Sequence, residues 1–541
     1  MADLNQLGLP RGVFASVTGH PLANFDFKTP EDLRTAVANA VDKKRETLRG
    51  LMDDIARLQS IRNMVTPVNL LPHELLAMVF AYATADGDTC VQLIGITHVC
   101  HLWRHTALNS AALWTRIAVN DPLAIATFLE RAKSLPVSLS VTLCRPPVVS
   151  TVRLIASETH RLRSLRVRVP AEIALEIVTN RLKVAAPMLE EFCIEKLDPK
   201  WGRWAAPDAA DAERSLRTLD MPSLRSLSLR GVPLLYIPQG PNSLRELTLH
   251  RRIPPPDTLL QLLKDSPALE KLCVGGTFEF DTLLDREAVA LRQLKSFHLS
   301  TFPPQGIANL LGSLVLPRDV KVAINAPLDI DHDFENIFVT FPPAPQTVGL
   351  ACFRDLRRLE LCWDVDTLDL RAYRGADDFT EPALHIAASH LGPYPGNCFL
   401  ANWAFDTSQV ETVVLCGNSW RERGVERAVA RTLWAPMFDR LPALKTLRLM
   451  CIGQKTLEEF IASFLVGPNP HLETIEVVNA RPGRVFWDRL HLMLTMRGSR
   501  RPEGSIKRVE LYDVGEGPDW DPDYIAVIKV HKGVEVVWDL D

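Results

Sequence analysis

From Pro30 to Asn63 the apolar residues return at helical intervals. Val37, Val41, Leu48, Leu51, Ile55 and Leu58 stand three, four or seven positions apart, and Lys43, Lys44, Arg45, Asp53 and Asp54 occupy other positions. The spacing predicts a single amphipathic helix over residues 29–64. Thr29-Pro30-Glu31-Asp32 supplies its start. A threonine there can accept from orphan backbone N–H groups, proline suits the first helical position, and acids favour the positive end. The stripe predicts either a coiled coil with another helix or a fold-back onto the rest of the chain. Residues 1–28 hold Gly, Pro and Asn without a sustained period and read as a mobile tail.

The texture changes at Thr66. Leu70, Leu71, Leu75, Leu76, Val79 and Phe80 make an apolar helical face that begins beside Pro72. Ala83 to Thr89 breaks it as a loop. A second helical stretch carries Leu93, Ile96, Val99, Cys100 and Trp103, and a third short apolar group is Leu113, Trp114 and Ile117. Residues 66–118 are few for a self-sufficient core. So apolar a unit of this size is expected to complete its burial against a partner.

Over residues 119–541 a different unit recurs, with the pattern L-x-x-L-x-L in which other aliphatics are allowed. Examples are Leu162/Leu165/Val167, Leu224/Leu227/Leu229, Leu244/Leu247/Leu249, Leu269/Leu272/Val274, Leu444/Leu447/Leu449 and Ile506/Val509/Leu511. Starts are often 20 to 35 residues apart, and Val320/Val322/Ile324 reads as a degenerate copy. The last two positions alternate as a strand with one buried face requires. Between copies, DTLLQLLK (257–264) has a helical period. One strand and one helix per unit cannot bury their own apolar faces, so the units must stack. The predicted class is therefore α/β: a long helix, a three-helix unit, then an irregular solenoid like the leucine-rich repeats. Residues 325–350 and 364–405 lack the unit and read as degenerate repeats or long loops. Alternation from Ile525 to Trp538 predicts a terminal strand or strand pair.

Composition narrows the function classes. Net charge is −4 with both signs mixed along the chain, which gives no reason to expect nucleic acid or an anionic membrane as partner. No apolar run is long enough for a membrane helix, and the start has no signal-peptide pattern. The ten cysteines are scattered without a C-x-x-C pair, which predicts reduced thiols in an intracellular protein of the cytoplasm or nucleus.

Candidate chemistry is sparse. His98-x-Cys100-His101-x-x-x-His105 has the look of a metal cluster, but no acidic general base accompanies the histidines, and no metal is expected. His385 and His390 lie near Asp377 and Asp378 without the spacing of a hydrolytic site. Gly275-Gly276 after a strand reads as a turn rather than a phosphate cradle. No catalytic residue and no cofactor are expected. Aromatic residues in or near the loops between units are the better candidates for binding a target: Trp363, Tyr373, Trp403 and Trp420, with Trp201, Trp204 and Tyr394 beside them.

Two stretches carry a resemblance. Leu71-Pro72-His73-Glu74-Leu75-Leu76-Ala77-Met78-Val79-Phe80, followed by Val99-Cys100-His101-Leu102-Trp103-Arg104 and Leu113-Trp114, resembles the F-box family. With its helical N-terminal stretch and long leucine-rich-like region, the arrangement is similar to F-box proteins of mushroom-forming fungi. The resemblance implies that Leu71, Pro72, Leu75, Leu76, Val79, Phe80, Val99, Cys100 and Trp103 contact a Skp-type adaptor or form the core beneath it. It further implies an adaptor role in an SCF-type ubiquitin ligase, joined through Skp to a cullin, with a target protein held by the repeats. A scaffold that docks Skp without directing degradation, and an enzyme with a degenerate site in 364–405, are the alternatives. Two departures stand out. The Phe80-to-Val99 interval is long, with Ala83 to Asp88 as a loop insertion. The position that holds Asn or Cys in leucine-rich repeats holds Val232, Arg252, Thr277 and Asp364, with Asn418 alone conforming.

Overall fold

The computed structural model describes residues 29–85, 89–143, 148–169, 185–197, 221–232, 243–251, 253–276, 288–300, 304–327, 350–363, 367–375, 381–389, 406–417, 439–464, 471–500, 506–514, 523–531 and 533–539. It is a mixed α/β architecture, with helices towards the N-terminus and an extensive β-sheet after them. Two compact units divide it: residues 1–118 with 127–135, and residues 119–126 with 136–541. The predicted tail, residues 1–28, lies outside the described residues.

The long helix runs Pro30–Met64 and starts as the sequence predicts. Thr29 Oγ1 accepts from the Asp32 amide at 3.1 Å, and Asp32 Oδ2 accepts from the Thr29 amide at 2.9 Å. This reciprocal pair satisfies two donors that would otherwise be orphaned. Val37, Val41, Leu48, Leu51, Ile55 and Leu58 are all exposed, so the stripe is not folded back on the described residues.

After the helix come a 3₁₀ turn (Pro67–Leu70), helices His73–Ala83, Thr89–Thr97 and His101–Asn109, and a second 3₁₀ turn (Ala111–Trp114). Leu76, Phe80, Cys90, Leu93, Ala107, Leu113 and Trp114 are buried. The Trp114 indole donates to the Ala107 carbonyl at 2.7 Å and meets Phe128 edge-on, with ring centroids 4.9 Å apart. One expectation needs correction: Leu93 to Trp103 is not one helix. Thr97 turns its hydroxyl back to the Ile94 carbonyl at 2.7 Å, and Cys100 is extended with φ −159° before the next helix starts. Such back-bonding by a threonine competes with helix continuation. The apolar spacing crosses the break, which hid it from a reading by period.

The strands are β1 (Arg116–Ile117), β2 (Val137–Thr142), β3 (Leu162–Val169), β4 (Glu191–Lys196), β5 (Ser226–Arg230), β6 (Glu246–His250), β7 (Lys271–Gly275), β8 (Val289–Ala290), β9 (Ser296–Ser300), β10 (Leu314–Val315), β11 (Lys321–Pro327), β12 (Arg358–Trp363), β13 (Thr367–Tyr373), β14 (Leu384–Ser389), β15 (Thr412–Gly417), β16 (Thr446–Met450), β17 (Thr474–Val478), β18 (Arg508–Tyr512) and β19 (Glu535–Asp539). From β2 to β7, then β9 and β11, each strand pairs parallel with the next. From β15 to β19 the same holds. Registration keeps the paired apolar positions opposite one another: Leu227, Leu247 and Leu272 form one buried row, and Leu229, Leu249 and Val274 the next. One face of each strand is thus core and the other remains open. DTLLQLLK lies in the helix Pro256–Lys264, with Leu259, Leu260 and Leu263 buried.

The middle departs from this regularity. β11 pairs with β14, β14 and β12 flank β13 antiparallel, and β12 pairs with β15. A three-strand meander is therefore set into the parallel run with its strands in reverse order. This corrects the reading of residues 364–405, much of whose described part is central sheet rather than loop. β13 and β14 bury Leu368, Leu370, Ala372, Leu384 and Ile386. β13 pairs antiparallel with both of its neighbours, a pairing that needs no long crossover connection.

Residues just beyond several strands adopt positive φ: Gly231, Arg251, Gly276, Cys451, Asn479 and Asp513. Their amides extend the ladder, as when Asn479 N–H donates to the Tyr512 carbonyl at 2.9 Å. At these positions the turn is closed by backbone hydrogen bonds to the next strand. At the C-terminal end, Asp523–Lys529 is a helix and only Glu535–Asp539 is a strand, correcting the alternation read from Ile525 onward. Ile525 and Ile528 are both buried, three residues apart, which places them on one face of a helix and on opposite faces of a strand.

Candidate functional site

Two surfaces present side chains suited to binding. The first is on the helical unit. Along His73–Ala83, Leu75, Met78, Val79 and Tyr82 stand three, four and seven apart and all face solvent, while Leu76 and Phe80 are buried beneath them. On Thr89–Thr97, Val91 and Ile94 are likewise exposed above buried Cys90 and Leu93. The helices are thus apolar on both sides, and only one side is used by the unit's own core.

The sequence candidates divide accordingly. Leu75 (47% exposed), Val79 (43%) and Val99 (57%) face outward, Pro72 is exposed, and Leu71, Cys100 and Trp103 are half-buried. Leu76 and Phe80 belong to the core. Trp103 is held in place: its indole donates to Asn69 Oδ1 at 2.6 Å and its ring lies 5.0 Å from that of Phe80. Cys90 anchors the end of the unit, its sulfur accepting from the Ala118 amide at 3.2 Å. Met78, Tyr82, Val91 and Ile94 were missed from sequence, although Met78 and Tyr82 continue the same helical series as Leu75 and Val79.

The second surface is the open face of the sheet where the meander interrupts it. His385, Arg371 and Glu360 are opposite one another on β14, β13 and β12. Arg371 donates to Asp369 Oδ2 at 2.6 Å, and His385 Nε2 lies 2.9 Å from Asp369 Oδ1. Burial alone would raise the Asp369 carboxyl, but His385 and Arg371 together hold it below the usual range. Beside it, Arg358 pairs with Glu360, the Tyr373 hydroxyl donates to Glu360 Oε2 at 2.9 Å, and the Arg358 guanidinium lies over the Tyr373 ring. Further along, Arg448 pairs with Glu476, and Arg508 and Tyr512 both donate to Glu510. The result is a mixed-charge, internally paired surface. Groups of this kind can exchange partners with a polar protein segment.

The target-binding aromatics fare unevenly. Tyr373 is in β13 and only 8% exposed, committed to Glu360 rather than displayed in a loop. Trp363 is the last residue of β12. Trp403 and Trp420 lie outside the described residues, as do Trp201, Trp204 and Tyr394. His385 faces Asp369 in the sheet; His390, Asp377 and Asp378 lie outside the described residues. In the helical unit, His73 Nδ1 is 2.8 Å from the Thr106 hydroxyl and His105 Nε2 is 3.0 Å from the Asn109 amide. Among the described residues no group of three or more His, Cys, Asp or Glu is placed to hold a metal ion. The Gly276 amide donates to the Ser300 carbonyl at 2.9 Å and is engaged in the ladder. No described helix is long and apolar enough to cross a membrane.

No family model matches this chain, and no curated protein does. Among solved structures, an internalin from Listeria monocytogenes aligns over 85% of this chain and 97% of its own, at 12% identity and a TM-score of 0.24.

Proposed function

We propose that this chain is a substrate-recognition subunit of an SCF-type ubiquitin ligase, acting inside the cell. Residues 66–118 would be its F-box and dock a Skp-type adaptor, and through it a cullin. Residues 119–541 would form an irregular leucine-rich-repeat-like solenoid whose open face and edges hold a target protein. The chain itself would not be an enzyme.

The observation that carries the reading is the second apolar face of the helical unit. Leu75, Met78, Val79 and Tyr82 repeat at helical spacing over a core that is already closed by Leu76 and Phe80. Fully burying such a side chain contributes roughly 1.5–3 kcal/mol. Several of them, about half exposed at the start, can offset an association cost of about 4–15 kcal/mol only if they act together. A private core would have no use for them.

The test is binding of the full chain to a purified Skp-type adaptor, comparing wild type with Leu75→Asp/Val79→Asp. Both positions are exposed, so thermal unfolding should be unchanged while adaptor affinity falls more than about 100-fold. Unaltered affinity, or no affinity in the wild type, would sink the proposal. Adaptor binding with no recruitment of a cullin would favour the scaffold reading.

A further inference from the structure

We propose that Cys416 and Cys362 are an oxidant-sensitive thiol pair, in which a hydroperoxide oxidises Cys416 and Cys362 resolves it to a disulfide joining β15 to β12. This site is independent of the ubiquitin-ligase reading.

The sheet register puts the two residues directly opposite one another on neighbouring parallel strands. Their neighbours Leu361 and Leu415 are buried, so both thiols are on the open face, where each is partly exposed. Opposed residues on adjacent strands have Cα atoms about 4.8 Å apart, within the roughly 4.4–6.8 Å that a disulfide spans. A third thiol, Cys451, flanks Cys416 from the end of β16, where Asn479 Nδ2 donates to its sulfur at 3.5 Å. It stands one residue beyond Met450, the in-register partner of Cys416, and so approaches diagonally.

This arrangement distinguishes the three sulfurs chemically. Cys416 receives hydrogen bonds from Cys362 and, to a lesser extent, Cys451, which bring it down to about 7 although burial opposes this. Cys362 is pushed far up, chiefly because its proton is held on Cys416, with burial adding to the effect. Of the two, Cys416 is therefore the sulfur readier to ionise, beside a Cys362 thiol that keeps its proton. Thiolate is the reactive form, and a neighbouring thiol is what a resolving cysteine supplies. Cys352 provides an internal contrast: buried, it is pushed up to about 12 and stays a thiol.

The steps balance. The Cys416 thiolate attacks a peroxide oxygen, the O–O bond breaks, and sulfenic acid and alkoxide or hydroxide result. The Cys362 thiol then displaces hydroxide from the sulfenic sulfur, its proton leaving with it as water. Two thiols are oxidised and one peroxide is reduced. The bond would cross-link residues 54 positions apart (416 − 362) beside Glu360 and Arg358, and alter the open face there.

The experiment treats the reduced full chain with a few equivalents of hydrogen peroxide, blocks remaining thiols and maps the peptides. The expected result is a Cys362–Cys416 linkage as the main product, reversed by dithiothreitol, with Cys352 unmodified. In Cys362→Ser, a sulfenic-acid trap should label Cys416. Cys416 reacting no faster than Cys352, or linking mainly to Cys451, would overturn the proposal. The wild-type map requires no variant to fold.

Discussion

Asn69 accepts a 2.6 Å hydrogen bond from the Trp103 indole through Oδ1, while its amide nitrogen donates to the Asn63 carbonyl at 2.7 Å. One side chain therefore ties the end of the long helix to the third helix of the small unit. Asn69→Ala leaves both partners without their bond, and a half-buried indole N–H is costly to leave unmade. The expected loss is about 1–3 kcal/mol of stability, read by urea denaturation. Trp103→Phe should cost a similar amount, and the two changes should be less than additive. Full additivity would show that the bond does not couple them.

Glu360 is shared by Arg358 and Tyr373 in a nearly enclosed part of the open face. Burial, and then the bond to Glu360, push the Tyr373 phenol up to about 12. The folded value is above the unfolded value of about 10. The associated stabilisation is thus fully present below pH 10 and is lost as pH rises towards 12. In an alkaline absorbance titration one phenol should ionise well after ordinary tyrosines, and Tyr373→Phe should remove that late step. Persistence of the step in the variant would assign it elsewhere.

Glu360→Ala is expected to be more severe than Tyr373→Phe. It removes the Glu360 carboxylate from the Arg358 guanidinium, whose side chain is 10% exposed. Breaking a buried pair from one side costs roughly 3–5 kcal/mol, against about 1 kcal/mol for a single neutral hydrogen bond. Chemical denaturation of both variants gives the ranking; a smaller loss in Glu360→Ala would mean that water takes over the Arg358 contact.

Just before the strands, charges alternate along the sheet. Glu270 lies between Arg245 and Lys295, at 2.9 and 2.6 Å, and Glu411 between Arg357 and Lys445, at 2.5 and 3.0 Å. Lys295 chiefly holds Glu270 below the usual carboxylate value, and Lys445 does so for Glu411. Their contribution is present above the unfolded value of about 4.3 and is lost as pH falls through the lowered folded values. In all four pairs the Arg or Lys side chain reaches solvent, so the effect should be small and weaken with salt. Glu270→Gln/Glu411→Gln should flatten the fall in Tm below about pH 4.3 at low ionic strength. An unchanged slope would remove these two groups from the acid response.

Gly276 has φ +146°, and a Cβ there would come within 2.9 Å of the Arg251 Cα. Gly276→Ala should therefore destabilise by about 1–3 kcal/mol through backbone strain and overpacking, measurable as a lower Tm. Gly50→Ala, with open space at its Cβ in the long helix, is the matching control and should be neutral or mildly stabilising.

Where local chemistry decides structure, the sequence alone was enough. The Thr29–Asp32 box, the helix at 256–264 and the alternating strands followed from capping and period, because their determinants lie within a few residues of one another. The repeated unit also determined that strands must stack, since neither face of a lone unit could be satisfied. Three things required the tertiary structure. The division of Leu75 and Val79 from Leu76 and Phe80 depends on which side of one helix meets the other helices, and an apolar residue reads the same on either side. The meander of β12 to β14 depends on pairings between residues far apart in the chain, which a local pattern does not encode. The facing of Cys362 by Cys416, and of Tyr373 by Glu360, is set by sheet register: residues remote or opposed in sequence become neighbours only when the strands pair.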